Sequence, residues 1–113
     1  MMSLQSKLRQ MGEAFALVTA NCYHYWRPVK TVPCLMWSET GEENSFNADN
    51  KKEEQNIVGT CDLYTKTEFD PLIDAVQATL EDLGVTWSIA SVQYEEDTNL
   101  IHYEWNWGVA FRG

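Results

Sequence analysis

The sequence predicts an α+β fold, with two helices packed on one face of a mostly antiparallel sheet of about five strands in the order α-β-β-β-α-β-β. Three observations carry that expectation. Ile101, Tyr103, Trp105, Trp107, Val109 and Phe111 alternate with Leu100, His102, Glu104, Asn106, Gly108 and Ala110, so one side of an extended chain is aromatic and the other mostly polar. Two stretches carry apolar residues at helical spacing behind capping residues. Runs rich in β-branched and aromatic residues are separated by proline, glycine and acidic turns.

Taken in order, Ser3 is a candidate N-cap, and Leu4, Leu8, Met11, Phe15 and Val18 follow on one stripe of a helix running to about Ala20. Residues 22–27 (Cys-Tyr-His-Tyr-Trp-Arg) predict a strand stopped at Pro28, because proline cannot donate to a ladder. Pro33 precedes a second strand over about residues 34–39. Residues 41–55 contain a single large apolar residue, Phe46, and too little apolar surface to offset the entropy of ordering them. They predict a mobile loop, and a loop of that length suggests a role, such as ordering against a neighbouring copy.

Residues 56–65 predict a third strand, in which Gly59 implies a bulge or a close backbone approach. Asp70-Pro71 is a strong helix start, with an N-cap carboxylate followed by proline at the first helical position and Asp74 near the positive end of the dipole. Leu72 or Ile73, Val76, Leu80 and Leu83 form the buried stripe, and Gly84 supplies the stop. Residues 85–94 and 100–111 then form a hairpin around Glu95-Glu96-Asp97-Thr98-Asn99. Such an apolar hairpin needs a helical layer over its aromatic face.

At 113 residues the chain has room for one core and one domain. Residues 1–20 lack a continuous apolar signal-peptide core, and no run is long enough to span a bilayer, so a cytoplasmic site of synthesis is expected and no membrane partner. Cys22, Cys34 and Cys61 are odd in number with no Cys-x-x-Cys, which fits buried, reduced thiols. The formal charge is -9, and residues 67–111 hold nine acids and no Lys or Arg. That half repels a phosphate backbone. Lys7, Arg9, Arg27 and Lys30 lie early, where Glu13 is the only acid before Glu39. One reading is solvated faces; the other is identical copies meeting basic face to acidic face.

Motifs of catalysis are missing: there is no phosphate-cradling glycine loop, no Gly-x-Ser-x-Gly, no His-Glu-x-x-His and no calcium loop. His24 and His102, with the cysteines, have no metal-ligand spacing, and the expected state is histidine hydrogen-bonded within the sheet. Acid pairs such as Glu95 with Asp97 or Glu53 with Glu54 sit in polar segments that do nothing to separate their pKa values. No catalytic residue, cofactor or metal is expected. Tyr23, Tyr25, Trp26 and Trp37 add to an aromatic set already large for the core, and a surplus of this kind beside a charge asymmetry fits a self-associating module.

The order helix, three strands with a long loop between the second and third, then Gly59-Thr60-Cys61-Asp62-Leu63-Tyr64-Thr65-Lys66, Asp70-Pro71 opening a helix, and Tyr94-Glu95-Glu96-Asp97-Thr98 with Ile101-His102-Tyr103-Glu104-Trp105 resembles the tail terminators of long-tailed bacteriophages and prophages. These are also described as tail completion, minor tail or head-to-tail joining proteins. The resemblance covers most of the chain as element order, in strand and turn patterns. It implies a non-enzymatic structural subunit of the virion tail, assembled in the host bacterial cytoplasm. It also implies a ring, commonly a hexamer, that caps the tail tube and meets the head connector. The tube protein and the connector are then the partners, and DNA passes through without being held. Glu95, Glu96 and Asp97 on the turn, with Phe46, Lys51 and Lys52 in the long loop, are the candidate interface or lumen residues. A small acidic module that mimics nucleic acid on a basic protein surface is the alternative, and a small enzyme a third reading.

Overall fold

Both helices begin where their capping chemistry dictates. The computed structural model describes residues 3–26, 31–43, 47–48, 51–52 and 54–112. Helix α1 spans Leu4–Val18, and the Ser3 hydroxyl accepts from the Ser6 amide at 3.1 Å, satisfying one of the orphan donors of the first turn. Leu8, Met11 and Phe15 form its buried stripe, with Leu4 and Val18 packed at the ends. The strands β1 (Cys22–His24) and β2 (Cys34–Glu43) follow, then the short pair β3 (Asn47–Ala48) and β4 (Lys51–Lys52), and then β5 (Glu54–Thr65). Helix α2 spans Pro71–Asp82 and buries Val76 and Leu80. It ends at Leu83, where Gly84 takes a φ of 72°, the left-handed conformation that lets the chain turn into the hairpin β6 (Thr86–Glu95) and β7 (Leu100–Arg112).

The main sheet has five strands in the order β1-β2-β5-β7-β6, antiparallel except for β1 beside β2, while β3 and β4 form a separate two-stranded pairing. The α+β class and the predicted order hold. The alternation in β7 works as expected, with Trp105 and Trp107 buried between sheet and helices and Asn106 exposed between them. Leu35, Trp37, Ile57, Cys61 and Leu63 complete the sheet's share of the core among the described residues. Gly12 carries α1 over Trp37, since a Cβ there would meet the indole at 3.1 Å. Gln77 on α2 accepts from the Trp105 indole at 3.1 Å and Glu81 from the Trp87 indole at 2.9 Å, which places α2 over the hairpin.

Two boundaries differ from the sequence reading. The first strand ends at His24, three residues earlier than expected, because Tyr25 adopts a φ of 80° and turns the chain away from the ladder after one further bond, Tyr25 N–H to Trp37 O at 2.8 Å. The stretch 41–55 is not one loop. Residues 41–43 extend β2 and residues 54–55 begin β5, paired as Glu42↔Ile57 and Gln55↔Phe111, and residues 47–48 pair with 51–52. Main-chain bonds to a neighbouring strand hold polar residues that have little strand propensity of their own. Phe46 lies outside the described residues. Because β2, β5 and β7 continue past the ends of β1 and β6 as a three-stranded tongue, the molecule is long, 54 × 24 × 23 Å.

The start of α2 is tied to the end of β5 through one buried carboxylate. Asp70 accepts from the Leu72 amide at 2.9 Å and from the Thr65 hydroxyl at 2.6 Å, and Thr65 is 1% exposed. Asp70→Ala removes the cap and orphans a buried hydroxyl, so we expect a loss of about 2 kcal/mol in urea unfolding, with Asp70→Asn losing clearly less. Equal losses in the two variants would contradict that account.

Candidate functional site

Of the six residues singled out in the sequence, the five among the described residues do not come together. Glu95 ends β6, and Glu96 and Asp97 stand exposed in the turn that Asn99 closes with a φ of 55° and a 2.9 Å bond from the Tyr94 hydroxyl. That turn lies beside the Thr65↔Ile101 end of the sheet, whereas Lys51 and Lys52 sit in β4, next to the Glu54↔Arg112 end. The two ends of β5 are about 36 Å apart at roughly 3.3 Å per residue.

What the fold does assemble is a pair of unlike sheet margins. At one edge, β6 runs for ten residues with no strand beyond it among the described residues and contains neither Lys nor Pro, the residues that usually guard an edge. The α2 helix covers Trp87 but not the remainder of the strand, so Ile89, Val92 and Tyr94 are 47%, 52% and 59% exposed on the side of the sheet that carries the helices. The pairing shifts register between Ile89 and Ser91, a bulge that twists the edge without covering it.

At the other edge, β1 is only three residues long and ends in a stacked column. The His24 ring lies between Tyr25, at a centroid distance of 3.8 Å, and Trp37, at 3.9 Å. Glu39 locks the column, one carboxylate oxygen 2.9 Å from His24 Nε2 and the other accepting from the Tyr25 hydroxyl. Between this column and α1 runs an open groove of about 540 Å³, lined by Arg9, Gly12 and Glu13 from the helix and by Cys22, Trp37 and Glu39 from the sheet. Tyr25 lines it too and is 57% exposed, and Trp26, the next residue in the chain, is 64% exposed. The left-handed backbone at Tyr25 costs about 1–2 kcal/mol, and the stack with its hydrogen bond offsets that cost.

The open face of the sheet holds a third group, Asp62, His102, Glu104 and Tyr64. Asp62 lies directly opposite Glu104 on β7 and Met36 on β2. His102 Nε2 is 2.7 Å from its carboxylate, and Tyr64 stacks on the imidazole at 4.2 Å. Desolvation raises the Asp62 pKa above its ordinary value and Glu104 adds to the rise, while hydrogen bonds from His102 and Thr60 and the His102 charge oppose it without cancelling it. The folded state therefore holds this proton more tightly than the unfolded chain. Its contribution to stability is fully present below the ordinary value of 3.8 and is lost as pH rises through the raised folded value. Asp62→Asn keeps an acceptor and removes the buried charge. It should melt above the wild type at pH 7, by a margin that shrinks as pH falls toward 4; a margin independent of pH would refute the assignment.

Sequence reading anticipated that both histidines would bond within the sheet, and both do. It missed the Asp62–Glu104 juxtaposition and the Glu39 clasp, which depend on register and on contacts 14 and 15 residues apart along the chain. The three cysteines are thiols outside any disulfide; burial, with Cys34 beside it, pushes the Cys22 thiol up to about 11, and burial holds Cys61 well above the ordinary range. Among the described residues no group of three or more His, Cys, Asp or Glu side chains is placed to hold a metal ion, and no helix is long and apolar enough to cross a membrane. A scan against protein-family models and a search of the curated proteins find no match to this chain.

Proposed function

We propose that the chain is a structural protein of phage tail or neck assembly, a subunit that joins copies of itself into a ring ending the tail tube and meeting the head connector. The observation that carries this reading is the pair of exposed, unlike apolar margins on opposite edges of one sheet. A monomer has no use for two such patches, and a subunit with different surfaces on its two sides builds rings when the rotation between copies closes. The elongated shape, with a three-stranded tongue beyond the helices, suits contact with layers above and below the ring. The acid-only stretch over residues 67–111 suits a passage through which a duplex slides, because carboxylates repel phosphates.

Light scattering over a range of protein concentrations and salt, alone and with purified tail tubes that lack this component, tests the reading. Ring-sized mass in solution or on the tube ends is expected. A chain that stays monomeric throughout and leaves the tubes bare would end it.

A further inference from the structure

We infer that the β1 margin of one copy, led by Trp26 and Tyr25, seats on the β6 margin of the next, on Ile89, Val92 and Tyr94. This rests on the ring reading and assigns the surfaces through which the ring grows. Five of the seven exposed large hydrophobics among the described residues lie in these two margins, the others being Leu17 and Phe69. The strand order β1-β2-β5-β7-β6 puts the margins on opposite edges, so one copy cannot use one patch to cover its other. Their shapes differ in the sense a contact needs. The β1 side offers two exposed aromatic rings, and the β6 side presents the branched side chains of Ile89 and Val92 on an extended strand, with Tyr94 two residues beyond Val92.

The β1 side is also held in advance. Tyr25 is fixed by its stack on His24 and by its bond to Glu39, so docking it forfeits little rotamer entropy. Charge sets the direction of the contact. Arg9 lines the groove beside Tyr25 and makes no ion pair among the described residues, and Arg27 follows Trp26 in the sequence. The β6 margin runs into exposed Glu95, Glu96 and Asp97, within a stretch that has no Lys or Arg. Pairing β6 with β6 across a two-fold axis would join two stretches that both lack Lys and Arg and would leave Trp26 in water. Pairing β1 with β6 places cation beside carboxylate and buries both apolar sets.

The test uses two variants of the full chain, Trp26→Ala and Val92→Asp, both at exposed positions. Ile89→Asp serves as a second variant of the same shelf, and the melting temperature of each is checked against the wild type. Each variant alone should need at least a tenfold higher concentration to associate, on tubes or in solution. An equimolar mixture of Trp26→Ala with Val92→Asp should form a one-to-one dimer that grows no further, because one intact contact remains between unlike variants. Rising salt should weaken wild-type association. If the wild type associates and Trp26→Ala matches it, or the mixture yields no dimer, this assignment is wrong while the ring reading stands. If the wild type associates under no condition, with or without tubes, both fall.

Discussion

Trp105→Ala should cost about 3–5 kcal/mol, a large part of the roughly 5–15 kcal/mol that holds a domain of this size together. The side chain is 0% exposed, the largest wholly buried group among the described residues, and belongs to the core between sheet and helices. Cys61 on β5 and Ile89 on β6 flank it across the sheet, and its indole donates to Gln77 on α2 at 3.1 Å. Truncation therefore opens a cavity between sheet and helix and removes the bond that registers α2 on the hairpin. Trp105→Phe keeps most of the volume and loses the bond, so it should fall well between wild type and alanine in urea unfolding. Thermal melting should drop by at least ~12 °C for the alanine variant, at about 4 °C or more per kcal/mol. A loss below about 1 kcal/mol would mean that the core does not converge on this residue.

The elements legible in the sequence are those whose cause is local. Ser3, Asp70-Pro71 and Gly84 mark helix ends through hydrogen bonds and backbone conformations that span a few residues, and the structure uses each as expected. The alternation in β7 was legible because half-burial imposes a period of two on any strand. Register was not. Nothing in either strand alone sets Asp62 opposite Glu104, or Glu39 within reach of both His24 and Tyr25, since the first pairing follows from how β5 and β7 slide past one another and the second from how β1 lies against β2. The extension of β2 and β5 into residues 41–43 and 54–55 escaped for a related reason. Gly41, Glu42 and Glu43 look like loop by composition, and it is the partner strand that makes them strand. The β6 margin shows the converse. Ile89, Val92 and Tyr94 have the composition of a buried strand, and only the placement of two helices over five strands leaves them uncovered.

Gly59 is the position where the smallest change should do the most damage. A Cβ built there would lie 2.2 Å from the Ser38 carbonyl oxygen and 2.3 Å from Trp107 Cζ2. Neither neighbour can give way cheaply. Ser38 sits in the β2 ladder opposite Thr60, two residues before the irregularity at Thr40, and Trp107 is 2% exposed with its indole donating to Thr60 O at 3.0 Å. The sequence anticipated a bulge or a close approach at this glycine. The structure has the approach at Gly59 itself and the register shift on the facing strand, between Glu39 and Gly41. Gly59→Ala should therefore cost about 3 kcal/mol, at the upper end of what overpacking a core incurs. Gly41→Ala is the internal control: nothing lies within 4 Å of its Cβ position, and its cost should stay within about 0.5 kcal/mol. Trp107→Phe withdraws the atoms that Gly59→Ala would strike. In that background the alanine should cost at least ~1 kcal/mol less, a coupling within the range seen for residues in contact. Additive losses in this cycle would place the strain at Ser38 alone, and a neutral Gly59→Ala would mean that β2 and β7 do not close around β5 as tightly as these distances require.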